Sequence, residues 1–418
     1  MRTLGLRSAL GSLLAGVALA AAAPAGAAPP RDGHKLLVVS VDGLDWRYLR
    51  DRDTLGLRIP NLRRLMATGW SADGVVGVWP TITWPSHTSI LTGARPDQHG
   101  IRGNRRPASE GGDYYWTVDL LKREPLWACA GKAGLTTASI TWPVTKDAAI
   151  TYNLPEYFHR RNGGSMDLAT SASAATPGLV EGITAMFPSF AQQWIDDRTR
   201  TQATLYLLKA KQPDLLLVHL VDLDSEAHDR GPFAANANAV LERTDELIGD
   251  MLHALPAGYD IVVTSDHGFE RLDHIANPGV LLAEAGGKGR IEAMGGIVVA
   301  RDADGAAFLR GLAEKGQEGI GREIPRAELQ RYAPELADVA AAFEPAEHIM
   351  FGKATTGAYL TPPPEIGEHG FWPLRRDYRS TFIEQGPGIS PGHAPEIEMV
   401  SLRDRLAKRL GIACPRPE

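Results

Sequence analysis

Three short apolar runs constrain the fold of this chain more than any other feature, because an aspartate closely follows each of them. The runs read KLLVVSV from Lys35, DLLLVHL from Asp214 and YDIVVTS from Tyr259. Continuous apolar runs of this length are typical of strands that are buried on both faces of a parallel sheet. Helical patterns alternate with them, for example at residues 59–69 and 190–211. The chain is therefore predicted to be α/β, with a mostly parallel sheet and helices on both faces.

Candidate metal ligands follow each predicted strand. Asp42 stands directly after the first strand, Asp224 and His228 lie shortly after the second, and the pair Asp266-His267 follows the third. The carboxyl ends of parallel strands share one sheet edge, where α/β proteins bind ligands. One helical turn would place Asp224 and His228 on the same face, and carboxylate and imidazole donors suit Zn²⁺. Each piece taken alone also fits a strand-end or charged surface turn.

A hydroxyl-rich stretch, WPTITWPSHTSILTG from Trp79, provides a candidate nucleophile. Pro85 fits the first turn of a helix, which we expect from about Ser86 to Thr92, with Thr83 just before it. Backbone N–H groups and the helix dipole would then favour an anionic substrate beside Thr83. A threonine hydroxyl becomes a good nucleophile when a base or a metal lowers its pKa. The alternatives are an N-cap role for Thr83 and Ser86 as the nucleophile.

The sequence pattern changes between the third strand and His369. That stretch carries GGIVVAR, which predicts a strand, and several helical patterns, including one at residues 335–342. We therefore expect a small inserted cap subdomain over residues 276–365, with a catalytic core formed by residues 34–275 and 366–418. His369 stands in GEHGF, after a run of prolines, and would reach the sheet edge from a loop.

The first residues predict export. Residues 1–27 show a positive start, an apolar run and an A-x-A sequence ending at Ala27, as in a Sec-type signal peptide. We expect cleavage near Ala27 and a soluble periplasmic or extracellular protein without stable membrane insertion, since the apolar run is short for a membrane span. Loss of Arg2 and Arg7 changes the formal charge from −6 to −8, with 42 basic against 50 acidic residues. This balance gives no reason to expect binding of duplex nucleic acid.

The two cysteines are Cys129 and Cys414. In an oxidising compartment they could pair, although the sequence does not show that they meet. Two cysteines also exclude a zinc site built on cysteine ligands alone.

The ordered set of motifs resembles the alkaline phosphatase superfamily, and within it the type I phosphodiesterases/nucleotide pyrophosphatases. The motifs are D-G at Asp42, PTITWPSH around Thr83, HGIRGN ending at Asn104, DxxxH at Asp224 and His228, SDHG at Asp266 and EHG at His369. The resemblance implies a mostly parallel sheet flanked by helices, with two zinc ions at the carboxyl edge of the strands. The sulfatases of this superfamily need a C/S-x-P-x-R motif, which the stretch around Thr83 does not offer.

Site roles follow from the resemblance, position by position. Thr83 would be the nucleophile and would also bind one zinc ion, and Asn104 would hydrogen-bond a phosphoryl oxygen. Trp84 stands where family members often carry an aromatic residue that packs on the leaving group or base. The zinc ligands would form two sets of three, namely Asp224, His228 and His369 for one ion, and Asp42, Asp266 and His267 for the other.

The function that the resemblance implies is an exported zinc-dependent phosphodiesterase/nucleotide pyrophosphatase. It would hydrolyse small-molecule phosphate esters through a covalent phosphoryl-threonine, with two metals stabilising the attacking and leaving oxygens. Two other functions stay open. One is a related phosphomonoesterase or phosphonate hydrolase, of the phosphonoacetate type, with the same two-zinc site. The other is a non-catalytic relative that uses the cap and pocket for binding. The sequence leaves the oligomeric state open.

Overall fold

The three apolar runs form neighbouring strands at the centre of an eight-stranded sheet. The structure is a computed structural model that describes residues 35–161, 165–190 and 194–415. The predicted signal peptide at residues 1–27 lies outside the described residues.

The strands follow one another along the chain in this order. They are β1 (Lys35–Val41), β2 (Trp70–Ala72), β3 (Val75–Val76), β4 (Thr137–Ile140), β5 (Tyr152–Leu154), β6 (Arg160–Arg161), β7 (Ser165–Met166), β8 (Leu215–Leu220), β9 (Tyr259–Thr264), β10 (Glu270–Arg271), β11 (His274–Ala276), β12 (Ile291–Ala293), β13 (Val298–Ala300), β14 (Ile320–Glu323), β15 (Ala341–Pro345), β16 (Ile349–Phe351), β17 (Leu360–Thr361), β18 (Gly367–Glu368), β19 (Phe382–Gln385), β20 (Gly392–Ala394) and β21 (Ile397–Glu398).

The α-helices alternate with these strands along the chain, and the last helix follows the last strand. They are α1 (Trp46–Arg50), α2 (Pro60–Thr68), α3 (Thr83–Thr92), α4 (Pro96–His99), α5 (Leu126–Lys132), α6 (Leu168–Ser173), α7 (Leu179–Met186), α8 (Asp197–Tyr206), α9 (Asp222–Arg230), α10 (Ala235–Ala254), α11 (Pro278–Glu284), α12 (Ala303–Glu314), α13 (Arg326–Tyr332) and α14 (Leu402–Arg409).

The main sheet is mostly parallel. Its strand order is β20-β2-β19-β9-β1-β8-β4-β5. Strand β1 pairs in parallel with β8 and β9, and β4 and β5 continue the parallel pairing beyond β8. Strand β19 is antiparallel to both of its neighbours. The predicted α/β class with a mostly parallel sheet is confirmed.

Helices cover both faces of this sheet, as the alternating side chains of β1 show. Leu37 and Val39 pack in a core that includes residues of α10, such as Leu241. Leu36 and Val38 belong to a second core, which includes residues of α5 and α14. Successive strand residues point to opposite faces, so a strand with a helical layer on each side must be apolar throughout. This requirement explains the uninterrupted apolar runs of the sequence.

The stretch after β9 forms a second sheet of its own. Strands β12, β13, β15 and β14 pair in that order, and every pairing is antiparallel. The chain leaves the main sheet through β10 and returns through β18, and these two short strands pair with each other. We call the β10–β18 pair the neck. The cap boundaries at residues 276–365 stay a prediction.

Three helix predictions were wrong in their extent. Helix α3 begins at Thr83 rather than near Ser86, and its N-cap is Ile82, so Thr83 is not the N-cap residue. The pattern at 190–211 becomes a helix only from Asp197, because the Asp196 side chain accepts the Thr199 N–H at 2.7 Å and caps the helix there.

The pattern at 335–342 was the third of these predictions. It contains a short 3₁₀ turn, Pro334–Leu336, and then enters β15. Strand β15 pairs with a strand on each side, β13 and β14. Tertiary pairing therefore overrides the local helical pattern of this segment.

A disulfide joins Cys129 of α5 to Cys414, 285 residues further along the chain. The two cysteines therefore meet, which the sequence alone left open. Among the described residues, none of the helices combines the length and the apolar character that crossing a membrane requires.

Candidate active site

The carboxyl ends of β1 and β9 bring together one set of candidate ligands. Asp42 follows β1, and Asp266 and His267 follow β9, which lies beside β1 in the sheet. All three residues are buried, and one donor atom from each lies within 4.8 Å of the others. We call Asp42, Asp266 and His267 the inner group.

Each inner side chain is held by the scaffold through one atom. Asp42 Oδ2 accepts from His219 Nε2 at 3.0 Å, and Asp266 Oδ1 accepts from the Gly43 N–H at 3.2 Å. His267 Nδ1 lies 3.1 Å from the next backbone carbonyl oxygen. The opposite atoms converge, with His267 Nε2 at 3.2 Å from Asp42 Oδ1 and 3.1 Å from Asp266 Oδ2. The scaffold thus leaves one donor atom of each residue aimed at a common point.

A helix and a loop supply the second set. Asp224 and His228 lie one turn apart on α9, and His369 follows β18. These residues are half-buried, and their donor atoms also lie within 4.8 Å of one another. His228 Nδ1 is 3.0 Å from the Gly367 carbonyl oxygen and 2.9 Å from Glu365 Oε2, whereas its Nε2 is 3.6 Å from Asp224 Oδ1. We call Asp224, His228 and His369 the outer group.

The inner and outer groups are immediate neighbours. The rings of His267 and His369 stack with centroids 3.8 Å apart and planes at 21°. Gly43 lets the backbone after β1 approach α9, since a Cβ at this position would lie 3.4 Å from Asp224 Cα and 2.9 Å from the Phe269 ring. Its φ of +69° also favours glycine. The two groups therefore lie side by side.

Five donor atoms of these groups make no hydrogen bond to any described residue. They are Asp42 Oδ1, Asp224 Oδ1, Asp266 Oδ2, His267 Nε2 and His369 Nδ1. A buried polar atom left unpaired costs about 1–3 kcal/mol, so a cluster of five is unfavourable unless a ligand satisfies them. Carboxylate oxygens and imidazole nitrogens with anchored second atoms are the donors that zinc sites use. The residues present therefore fit a cation site.

Charge crowding in the site shifts several pKa values. Burial and a neighbouring carboxylate raise the pKa of Asp224 to about 6 and that of Asp266 well above its usual range. Burial opposes the charge on His228 and His267, but nearby carboxylates raise the pKa of these residues to about 10 and about 9. Asp224 and Asp266 therefore resist ionisation, whereas at Asp42 the effect of burial is outweighed by His219 and His267, which hold its pKa well below the usual range. A bound cation would supply positive charge beside Asp224 and Asp266.

The start of α3, at Thr83, is linked to the surroundings of both groups. His87, one turn further along α3, contacts the Thr83 carbonyl oxygen through Nδ1 at 2.9 Å and lies 3.5 Å from Asp266 Oδ2. On the other side, the Gly370 N–H donates to the Thr81 carbonyl oxygen at 3.0 Å. The start of α3 is thus tied to the inner group through His87. Through Thr81, it is also tied to the loop that carries His369.

Asn104 lies against the first turn of α3. Its Oδ1 accepts the Trp84 N–H at 3.0 Å, which leaves its NH₂ group to donate elsewhere. The Trp84 ring contacts Tyr114 and Trp116, and the residue is 4% exposed. Its contact with substrate stays a prediction. The rival nucleophile Ser86 is fully buried inside α3, whereas Thr83 keeps an exposed fraction of 6%.

Three polar residues around the site were missed by sequence reasoning. His219 and Glu156 lie behind Asp42, and His87 lies beneath Thr83. Two signals were visible, a histidine inside the apolar run DLLLVHL and a histidine four residues after Thr83. Glu156 gave no sequence signal, because it follows the short edge strand β5 in a loop.

Comparison with known proteins identifies the family. A family model described as type I phosphodiesterase / nucleotide pyrophosphatase matches residues 36–352. Rat ectonucleotide pyrophosphatase/phosphodiesterase family member 3 is 25% identical over 257 residues, which is 57% of this chain and 25% of that protein. Venom phosphodiesterase 2 of Crotalus adamanteus is 26% identical over 270 residues, which is 58% of this chain and 28% of that protein. The chain thus spans about a quarter of the length of these two relatives.

Solved structures share the fold. Murine ectonucleotide pyrophosphatase/phosphodiesterase 5 matches with a TM-score of 0.64 and 20% identity, covering 92% of this chain and 97% of that chain. The human counterpart gives a TM-score of 0.63 and 18% identity, with 92% and 96% covered. At these identities the likeness shows the fold alone. Because the family match covers well over half of its residues, the chain belongs to the type I phosphodiesterase/nucleotide pyrophosphatase family.

Proposed function

We propose that this chain is an exported, zinc-dependent phosphodiesterase/nucleotide pyrophosphatase that uses Thr83 as a covalent nucleophile. One observation carries the proposal, namely that the inner and outer groups are neighbours and that the start of α3 is tied to the surroundings of both. Family membership supports the chemistry, since the family acts on phosphate esters.

Two zinc ions are the metals we propose, one in each group. The family is metal-dependent, and three imidazole and three carboxylate donors match zinc better than magnesium or calcium, which prefer oxygen ligands alone. Bound zinc ions would acidify the threonine hydroxyl and neutralise charge on the attacking and leaving oxygens. Three protein ligands per ion leave positions open for substrate, as catalytic zinc sites require.

The chain's own residues would act in two steps. In the first, the Thr83 hydroxyl gives its proton to solvent and Oγ1 forms a bond to phosphorus while the bond to the leaving-group oxygen breaks, and that oxygen takes a proton from water. In the second, water attacks phosphorus, the bond to Thr83 Oγ1 breaks, that oxygen takes up the proton that the attacking water gives up, and the phosphate product leaves. The Asn104 NH₂ group would donate to a phosphoryl oxygen in both steps. The N-terminal end of α3 adds partial positive charge beside it.

The substrate we propose is a small phosphate ester, with a nucleotide as the first choice. An inactive threonine-to-alanine variant of the murine protein was solved in complex with AMP, which supports a nucleotide-sized pocket and a threonine nucleophile here. Export is supported by the Cys129–Cys414 disulfide, because disulfides persist in oxidising compartments. It is also supported by the names of the relatives, which are ectoenzymes or venom proteins.

A second candidate is a phosphomonoesterase or phosphonate hydrolase with the same metals. The buried setting of Trp84 favours it. With its ring against Tyr114 and Trp116, the residue offers little surface for stacking on a nucleobase. A substrate without a large aromatic group would not need that surface.

Elemental analysis and a substrate panel test the proposal. We expect about two zinc ions per chain and a faster turnover of bis-para-nitrophenyl phosphate than of para-nitrophenyl phosphate or phosphonoacetate. Preference for the monoester or the phosphonate would favour the second candidate. Tight AMP binding by a metal-loaded protein that turns over none of the three would favour the non-catalytic relative, and an active protein with one metal or none would contradict the two-zinc site.

A further inference from the structure

A fully buried histidine lies directly behind the inner group. His219 is in β8, beside β1, and has no solvent exposure. Its Nε2 is 3.0 Å from Asp42 Oδ2, and its Nδ1 is 2.7 Å from Oε2 of Glu156, a carboxylate that is itself buried. The three side chains form a continuous line, Glu156–His219–Asp42, that ends at a candidate metal ligand.

Burying these three side chains costs free energy unless each of them makes hydrogen bonds. Taking a carboxylate or an imidazole out of water costs several kcal/mol, and only well-formed hydrogen bonds offset that cost. Backbone contacts fix the histidine further, because Thr141 Oγ1 donates to the His219 carbonyl oxygen at 3.0 Å and the Thr141 carbonyl oxygen lies 3.1 Å from Nδ1. The ring is therefore held on both sides.

The consequence for Asp42 is a choice between its two oxygens. A carboxylate rotates about its Cβ–Cγ bond unless one oxygen is held. His219 occupies Oδ2, and Oδ1 is the oxygen that makes no hydrogen bond to any described residue and points to His267 Nε2. Asp266 shows the same division of its oxygens, but there the backbone N–H of Gly43 makes the scaffold contact. A side-chain partner can be changed by mutation, whereas a backbone partner cannot.

We propose that His219 and Glu156 are positioning residues that hold Asp42 for the metal of the inner group and so set the affinity of that group. The inference rests on the proposed function only in that the inner group binds a metal. His219 acts by donating to Asp42 Oδ2, and Glu156 acts through His219 by fixing the imidazole ring. Outer partners of this kind contribute about 10–100-fold to metal affinity in other proteins.

The experiment measures zinc affinity at both groups of the full chain by competition with a chromophoric chelator. We expect His219→Val to weaken the inner group by about 10–100-fold and to leave the outer group unchanged. His219→Gln, which can still donate to Asp42, should recover part of the affinity. Glu156→Gln keeps the size of the side chain, so it carries the test if His219→Val does not fold, and it should lower the affinity of the inner group less.

The matched control is His99→Val. His99 is equally buried and bonded through both nitrogens, to Ser89 Oγ and the Ile101 N–H, and none of its hydrogen bonds reaches a metal group. This variant should lose stability without a change in affinity at either group. If His219→Val and Glu156→Gln leave both affinities unchanged, or weaken both groups equally, the positioning role is wrong and His219 is only a core residue. A wild-type chain that binds no metal at the inner group would overturn the proposed function as well.

Discussion

The inner and outer groups offer the same number of donors but are built differently. The inner group is completely buried and follows two adjacent strands, β1 and β9. The outer group is half-buried and combines a helix, α9, with the loop after β18. Strand ends inside a sheet are fixed by hydrogen bonds on both sides, whereas a loop donor depends on how that loop docks. The comparison suggests a rigid inner site beside a more accessible outer one.

The largest expected effect comes from the proposed nucleophile at the start of α3. Thr83→Ala removes the proposed nucleophile and leaves all six Asp and His donors, so turnover of the diester should fall by about 10⁴-fold or more. Thr83→Ser should retain part of the activity. Elemental analysis should still find metal in both groups, because neither loses an Asp or His ligand.

Ser86→Ala is the matched control for the nucleophile. Ser86 is buried within the same helix, so its loss should leave turnover close to normal. Inactive Ser86→Ala together with active Thr83→Ala would move the nucleophile along α3, and it would also remove the reason for placing Asn104 and Trp84 in the site.

Single-ligand variants test whether the groups differ as described. Asp266→Asn and His228→Asn should each lower the zinc content from about two to about one ion per chain. The remaining zinc should then differ in accessibility. A chelator should strip it quickly from Asp266→Asn, where the half-buried outer group is intact, and slowly from His228→Asn. Equal release rates in the two variants would contradict the distinction between a rigid and an accessible site.

Removing the disulfide tests whether the difference in metal accessibility arises within the two groups themselves or from the stability of the whole fold. Cys129→Ala with Cys414→Ala removes a cross-link that closes a very long loop, and the free energy of unfolding should fall by about 2–5 kcal/mol in urea titrations. The order in which the two metals are released should not change, since the cross-link ties α5 to a distant segment and touches neither group. A reversed order would show that global looseness, not local construction, sets metal accessibility.

The smallest expected effect is the pH dependence of stability caused by His99, a buried histidine that belongs to neither group. Burial lowers the pKa of His99 to about 3, well below the value of about 6.5 expected in the unfolded chain. The unfolded chain therefore binds more protons between these values, so His99 costs stability as the pH falls. Its contribution should drop by about 2 kcal/mol between about pH 7 and pH 5.

His99→Gln should lack this acid-dependent loss. The measurement is the difference in unfolding free energy between wild type and variant at both pH values, with metal removed from both proteins so that ligand histidines cancel. A difference that does not change with pH would mean that His99 is not kept neutral by the fold.

The sequence predicted the sheet edge at which the inner residues lie, because strand and donor are adjacent in the chain, whereas the grouping of these residues came from the resemblance. The apolar run predicts a strand, and the polar residues after it, Asp42 in one case and Asp266 with His267 in the other, mark where that strand ends. The outer group could not be predicted from local sequence, since nothing near His369 shows that this residue lies beside α9. Only the resemblance linked His369 to Asp224 and His228. The supporting layer was not predictable, because Glu156 meets His219 through strand order, which a single sequence does not encode.

The boundaries of α3 show the same limit. A proline fits any of the first positions of a helix, so Pro85 alone does not say where the helix begins. In the structure the helix begins at Thr83, and Pro85 is its third residue. Packing decides where the helix begins, since the turn before Pro85 is held by Asn104 and His87. Contacts from His87 in the same helix and from Asn104 in a following loop thus hold the start of the helix that carries the candidate nucleophile.

The neck has a consequence for how this architecture can vary. Its strands pair Glu270 with Glu368 and Arg271 with Gly367, and they begin three residues after His267 and end directly before His369. The chain between them is therefore a closed loop whose ends are already fixed. Doubling the length of such a loop costs only about 0.6 kcal/mol of closure entropy. The segment between β10 and β18 can therefore lengthen, shorten or change its fold over evolutionary time while the stacked rings of His267 and His369 keep their positions.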